Sequence, residues 1–192
     1  MSFTKYGNII LSWKTNTALA FAEMLRIFIP PPATIVDLCA GERRMYRRLN
    51  NGNTLDGKNY KFIFGDIRKI HGNQYVCDIR NPPKELYDAA DGFIFDPPWP
   101  STSGSLRKMV QKYHPLPQKE FPSFLEESLK NIDKILKKHS VLIVKISHPW
   151  NHIIYNTLTQ QPYHYKWRRD IVQVCVNHNV YLVCHYMVFE KS

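Results

Sequence analysis

The sequence of 192 residues lacks any apolar run long enough to cross a bilayer. A membrane-spanning helix needs about 20 consecutive, predominantly apolar residues. The first residues, Met1 to Lys5, also lack the basic start and apolar stretch of a signal peptide. We therefore expect a cytoplasmic protein that makes no contact with a membrane.

Cysteine is scarce and shows no metal-binding spacing. The four cysteines lie in apolar, strand-like segments without a Cys-x-x-Cys pair; they are Cys39, Cys77, Cys175 and Cys184. The eight histidines show no metal-ligand spacing either. This pattern predicts buried free thiols and no metal site.

Acidic residues are fewer than basic residues. The chain has 16 of them against 26 lysines and arginines, which leaves a formal net charge of +10. Such a surplus favours a polyanionic partner, because neutralised phosphates release their counterions, although mere solubility is the alternative. Basic side chains lie close together in two segments, and we take these as candidate nucleic-acid-binding residues: Arg107, Lys108, Lys112, Arg168 and Arg169.

The sequence also lacks internal repeats, low-complexity tracts and flexible linkers. Apolar residues make up 44% of the chain and charged residues 22%, which is typical of a globular protein. We therefore expect residues 1–192 to form a single domain.

Hydrophobic patterning predicts strands and helices that mostly alternate. The predicted helices are 17–29, 42–49, 121–136 and 150–158, and the predicted strands are 34–39, 60–64, 74–77, 93–95, 141–146, 171–176 and 181–189. The last two strands are separated by Asn177-His178-Asn179, which is typical of a hairpin turn. The pattern predicts an α/β fold: a doubly wound, mainly parallel, seven-stranded sheet that ends in a C-terminal antiparallel hairpin.

Four aspartates follow predicted strands at or just past their ends: Asp37, Asp66, Asp78 and Asp96. One such aspartate is usually a turn residue or a helix cap. Ligands of doubly wound sheets bind at the carboxyl ends of the strands, where these four carboxylates should converge. Four in succession favour a binding site over four separate turns.

A motif of four residues begins at the last of these aspartates. Asp96-Pro97-Pro98-Trp99, directly after the apolar strand at 93–95, resembles the catalytic motif of methyltransferases that modify the amino group of adenine or cytosine in nucleic acids. The Trp form is most familiar from N6-adenine enzymes of DNA and RNA, whereas N4-cytosine enzymes more often carry Ser and Tyr at the motif ends. The resemblance implies that Asp96 and the Pro97 carbonyl bind the target amine, that Pro98 stiffens the loop, and that Trp99 stacks on the base.

A second motif precedes the first along the chain. Asp37-Leu38-Cys39-Ala40-Gly41 resembles the loop that binds S-adenosylmethionine in this class, although Arg43 stands where a second glycine is common. Small phage-type stand-alone methyltransferases are similar in this respect.

By this resemblance the cofactor is S-adenosylmethionine, bound by Asp37, Cys39, Ala40 and Gly41. Asp66 binds its ribose hydroxyls and Asp78 its adenine amino group.

The same resemblance implies N6-adenine methylation, of DNA before RNA. Two alternatives stay open: an RNA base methyltransferase, and an inactive relative that kept the fold to bind nucleic acid. A homodimer is also left open.

Overall fold

A mixed sheet forms the centre of the molecule. The computed structural model describes residues 9–12, 17–46, 49, 60–98, 100–101, 116–147, 150–160, 162–163, 165–177 and 180–192. The strands are β1 (Ile9–Ser12), β2 (Ala33–Asp37), β3 (Tyr60–Asp66), β4 (Tyr75–Val76), β5 (Ala90–Phe95), β6 (Pro100–Ser101), β7 (Leu116–Pro117), β8 (Leu136–Ser147), β9 (Tyr165–Asn177) and β10 (Val180–Lys191). The α-helices are α1 (Thr17–Phe28), α2 (Phe121–Ile135) and α3 (Asn151–Thr159).

Eight strands of the described residues join in the order β1-β9-β10-β8-β5-β2-β3-β4. All neighbouring pairs are parallel except the two that involve β10. The seven predicted strands are all present, and β9 and β10 form the predicted antiparallel hairpin. The mainly parallel, doubly wound sheet is therefore confirmed.

The eighth strand, β1, is an addition that the sequence did not predict. It pairs in parallel with β9, from Ile9 opposite Asp170 to Ser12 opposite Gln173. Four residues carry little periodicity, and their partner lies about 160 residues away along the chain. Only the assembled sheet offers β1 the edge on which it forms.

Each face of the sheet carries its own apolar cluster. Phe93, Phe95 and Val144 pack with α2 and α3 on one face, and Ile94 and Ile143 pack with α1 on the other. Because strand side chains alternate between faces, the central strands β5 and β8 are buried on both sides, which is usual for strands with continuous apolar runs.

The predicted helix over 42–49 is only partly confirmed, because residues 42 and 43 are not helical whereas Leu49 is. Arg44–Tyr46 form a short 3-10 turn, whose Met45 and Tyr46 are buried against the α1 face. Gly41 and Arg43 both have positive φ, at 53° and 54°. Left-handed residues cannot continue a right-handed helix, so the chain turns here instead.

Among the described residues, no helix is long and apolar enough to cross a membrane.

Candidate active site

The four predicted aspartates lie along one rim of the sheet. Asp37 and Asp66 end β2 and β3, Asp96 directly follows β5, and Asp78 comes two residues after β4. These strands are neighbours in the order β5-β2-β3-β4, so their carboxyl ends meet on the same side. The sheet brings the four carboxylates together as the sequence predicted.

Asp37 is a fully buried carboxylate that holds the loop after β2. Its Oδ1 accepts a hydrogen bond from the Cys39 amide at 2.8 Å, and its Oδ2 accepts one from the Tyr46 hydroxyl at 2.7 Å. Burial raises the pKa of Asp37 to about 7, although the hydrogen bonds from Tyr46 and Cys39 act in the opposite direction. Its exposed fraction is 0%, so Asp37 shapes the loop from beneath and presents no oxygen to a ligand.

The loop itself is tied to β3 by its backbone. The Ala40 amide donates to the Gly65 carbonyl at 3.0 Å, and the Gly41 amide donates to Asp66 Oδ2 at 3.0 Å. Burial and the neighbouring carboxylates raise the pKa of the Cys39 thiol well above its usual range. Cys39 is therefore a neutral, half-buried side chain of the loop and not a reactive thiolate.

Cys39, Cys77 and Cys184 are free cysteines, as predicted. Cys184 is buried, whereas Cys39 and Cys77 are only partly buried. The side chain of Cys175 lies outside the described residues.

Asp66 makes more hydrogen bonds than the sequence suggested. Besides the Gly41 amide, it accepts from the Arg68 amide at 2.9 Å and from the Arg68 guanidinium at 2.9 and 3.3 Å. A carboxylate offers about four lone-pair positions, and these four N–H groups use them. A ribose diol can reach Asp66 only if the Arg68 side chain moves aside.

Arg43 stands where a second glycine is common in the loop that this segment resembles, and it adopts a glycine-like backbone conformation. Its φ of 54° is the left-handed conformation that glycine adopts freely, at a cost of about 1 kcal/mol for other residues. Its guanidinium donates to the carbonyls of Gly72 at 3.1 Å and His71 at 3.2 Å, and it lies 5.4 Å from the centre of the Phe64 ring. These contacts fasten the loop to the turn after β3 and offset the strain.

Asp78 is paired with Arg80. Its carboxylate accepts from the Arg80 amide at 2.9 Å and from the guanidinium at 2.6 Å. Hydrogen bonds from the Arg80 side chain hold the pKa of Asp78 below its usual range, against the effect of partial burial. Asp78 is thus an ionised carboxylate at the rim.

Asp96 has a partner that the sequence analysis missed. Lys145 of β8 donates from Nζ to Asp96 Oδ2 at 2.7 Å. Burial acts to lower the pKa of Lys145, but the charge of Asp96 outweighs it and raises that pKa above its usual range. A single lysine within the apolar run 141–146 was the signal that could have identified it.

The rest of the segment Asp96-Pro97-Pro98-Trp99 is described in part. Pro97 is buried and Pro98 is half-buried directly after Asp96. Trp99 lies outside the described residues, as do the nucleic-acid-binding candidates Arg107, Lys108 and Lys112.

The remaining candidate basic residues lie on β9. Arg168 is exposed, and its Nε donates to Glu190 Oε2 at 2.7 Å. Arg169 is half-buried. Glu190 neutralises much of the charge that Arg168 would offer to a phosphate.

No protein-family model and no curated protein matches this sequence. Solved structures do match. TrmN from Thermus thermophilus superposes with a TM-score of 0.60 at 14% identity, over 91% of this chain and 48% of that chain. The present chain thus spans about half the length of that protein.

Two further structures match over most of their own length. A 1,6-didemethyltoxoflavin-N1-methyltransferase from Burkholderia thailandensis, crystallised with S-adenosylhomocysteine, gives a TM-score of 0.57 at 12% identity over 93% of this chain and 80% of that chain. An S-adenosylmethionine-dependent methyltransferase from Methanosarcina mazei gives 0.53 at 10% identity over 88% and 96%. The fold of this chain is therefore the Rossmann-like fold of the class I methyltransferases.

Proposed function

We propose that the chain is an S-adenosylmethionine-dependent methyltransferase that methylates the exocyclic amino group of a nucleic-acid base, with adenine N6 of DNA as the preferred target. One observation carries this proposal. Asp96 opens an Asp-Pro-Pro sequence at the carboxyl end of the central strand β5, with one oxygen bound by Lys145. Within the described residues, no hydrogen bond reaches its other oxygen, Oδ1.

The difficulty of the reaction lies in the target nitrogen, whose lone pair is delocalised into the aromatic ring. Asp96 Oδ1 and the Pro97 carbonyl accept the two amine hydrogens, which directs the lone pair out of the ring plane. Two consecutive prolines restrict the backbone of this loop, so the acceptors are held before the base arrives. Trp99 stacks on the base, which must leave its duplex to enter the site.

The residues at the rim fit S-adenosylmethionine, which supplies the electrophilic methyl group. Gly41 has φ of 53°, a left-handed conformation that glycine adopts freely, and its amide donates to the Asp66 carboxylate at 3.0 Å. Gly41 and Ala40 form the loop wall, Asp66 binds the ribose diol after Arg68 shifts, and Asp78 faces the adenine amino group. Asp37 holds the loop from beneath by accepting the Cys39 amide, and Cys39 is a half-buried side chain of that loop.

Labelled S-adenosylmethionine tests the reaction. The wild type is incubated with DNA and with RNA in separate reactions, and the nucleosides from each are identified by mass spectrometry. We expect N6-methyldeoxyadenosine, with less product from RNA. Asp96→Ala should abolish the product and leave cofactor binding nearly unchanged, because its acceptor acts on the target amine.

The other outcomes separate the alternatives. Label mainly on RNA adenine would show that RNA and not DNA is the preferred substrate. Label on cytosine N4 would show that cytosine and not adenine is the target base. Label on a ring carbon, a ribose oxygen or protein would refute amino methylation. Cofactor binding with no transfer to either nucleic acid would favour the inactive relative.

A further inference from the structure

Lys145 occupies a position where a charge is costly. It lies on β8, which pairs with β5 on one side and β10 on the other, and its neighbours Val144 and Ile146 are 0% and 4% exposed. The Lys145 side chain itself is 18% exposed. Replacing such an ion pair by apolar side chains is often neutral or stabilising, so stability alone does not account for a lysine here.

The same two strands carry a second lysine–aspartate pair that shows the contrast. At the opposite end of β5 and β8, Lys137 donates to Asp91 Oδ1 at 2.7 Å, and the Thr34 amide donates to Asp91 Oδ2 at 2.8 Å. Both oxygens of Asp91 are thus engaged by the protein. At the rim, Lys145 engages one oxygen of Asp96, and no described residue engages the other.

Other acidic side chains lie near Asp96. Asp37 and Asp66 lie close enough to interact electrostatically with each other, and Asp96 also acts on Asp37. On the other side, Tyr186 stands directly opposite Lys145 in β10, and its hydroxyl donates to Gln173 at 3.0 Å. Lys145 is the described cation that bonds directly to Asp96, among neutral groups and carboxylates.

We propose that Lys145 is a positioning residue for Asp96: its positively charged ammonium holds Oδ2 in place, so that the carboxylate keeps one orientation and its Oδ1 is available to the target amine. This inference rests on the proposed methyl transfer. Because β8 is fixed by ladders on both sides, the ammonium is preorganised, which is the condition for an acceptor that acts only in the transition state.

The test compares three variants at saturating concentrations of S-adenosylmethionine and of the DNA substrate. Lys145→Met removes the charge and keeps the side-chain length, and Lys145→Arg keeps the charge. Lys137→Met breaks the Lys137–Asp91 pair at the opposite end of β5 and β8. We expect Lys145→Met to lower kcat about 100-fold, Lys145→Arg to recover most of that loss, and Lys137→Met to change kcat less than about twofold. The affinity for S-adenosylmethionine, measured by calorimetry, should stay within about twofold of the wild type in all three.

Thermal unfolding of each variant confirms that the assay is done on folded protein, and Lys145→Gln replaces Lys145→Met if the latter does not fold. Unchanged kcat in the uncharged variant overturns the inference and leaves the proposed function intact. A Lys145→Arg variant as slow as Lys145→Met also overturns it, because charge would not be the property that matters. A wild type without methyl transfer overturns the proposed function, and this inference with it.

Discussion

The carboxylates at the rim differ in what surrounds them. Asp37 is buried with neutral donors, Asp66 and Asp78 are each paired with an arginine two residues further along the chain, and Asp96 is paired with a lysine from another strand. These environments separate the tasks of four chemically identical groups. Asp37 supports the loop, and Asp96 keeps one oxygen that no hydrogen bond from the described residues reaches.

Asp37 gives the protein a pH-dependent stability. Its pKa is about 7 in the folded state against 3.8 for an unperturbed aspartate. Below pH 4 the group is protonated in both states, so its contribution to folding is fully present. As the pH rises from 4 to 7 only the unfolded state releases the proton, and about 4 kcal/mol of stability is lost before the curve levels off.

Urea unfolding of wild type and Asp37→Asn at several pH values measures this contribution. The asparagine oxygen still accepts from the Cys39 amide, and its NH2 group donates to the Tyr46 hydroxyl, which then accepts instead of donating. The variant should therefore gain stability relative to the wild type as the pH rises from 4 to 7. Asp78→Asn is the control of opposite sign: the pKa of Asp78 is lowered, so its contribution is lost as the pH falls. If the free energy of unfolding changed with pH in the same way in wild type and Asp37→Asn, the raised pKa of Asp37 would be contradicted.

At the scale of elements, the loop from Cys39 to Arg43 is held from three directions. Asp37 of β2 accepts the Cys39 amide, β3 accepts the Ala40 and Gly41 amides through Gly65 and Asp66, and Arg43 reaches the turn at Gly72. The loop conformation therefore depends on the pairing of β2 with β3. These contacts hold one left-handed glycine and one left-handed arginine in the same short loop.

Asp66 should therefore affect the cofactor through two routes. Asp66→Ala removes the ribose acceptor and releases the Gly41 amide, and we expect S-adenosylmethionine to bind at least about tenfold more weakly, since charge-assisted hydrogen bonds contribute about 1.5–3 kcal/mol each. Calorimetric titration measures the change. Arg68→Ala separates the routes, because it frees two acceptor positions of Asp66 and should tighten binding.

Asp91→Asn, near the amino end of β5, serves as the control and should bind the cofactor like the wild type. Equal affinity in Asp66→Ala and wild type would remove Asp66 from the cofactor site.

At the scale of the whole molecule, the dominant feature is the net charge of +10 on a chain of 192 residues. Part of the basic residues pair with the carboxylates at the rim of the sheet: Arg68, Arg80 and Lys145. A net positive charge of this size suits a polyanionic partner that is held by its backbone.

DNA binding should consequently weaken steeply as salt is added. Fluorescence anisotropy with a short labelled duplex measures the slope of log Kd against log salt, and Arg107→Glu with Lys108→Glu should flatten it by about one unit per lost phosphate contact. Arg168→Ala should have a smaller effect, because Glu190 already binds that guanidinium. A slope near zero in the wild type would show that the charge does not serve phosphate binding.

Patterns that depend on nearest neighbours could be read from the sequence. The apolar runs of β5 and β8, the spacing of α2 and the aspartates at four strand ends are local features, and the alternation of strands and helices predicted a mainly parallel sheet. The position of Asp96-Pro97-Pro98 at the end of β5 was therefore predictable, as was the rim on which the four carboxylates meet.

Features that join distant segments were decided by the tertiary structure. β1 exists because β9 offers it an edge, and Arg43 adopts a glycine-like conformation because His71 and Gly72 accept its guanidinium. Lys145 faces Asp96 from 49 residues away, because β8 lies beside β5. Hydrogen bonds and ion pairs of this kind depend on distances that arise only after the strands are aligned, so the sequence can mark Lys145 as unusual within an apolar run but does not identify its partner.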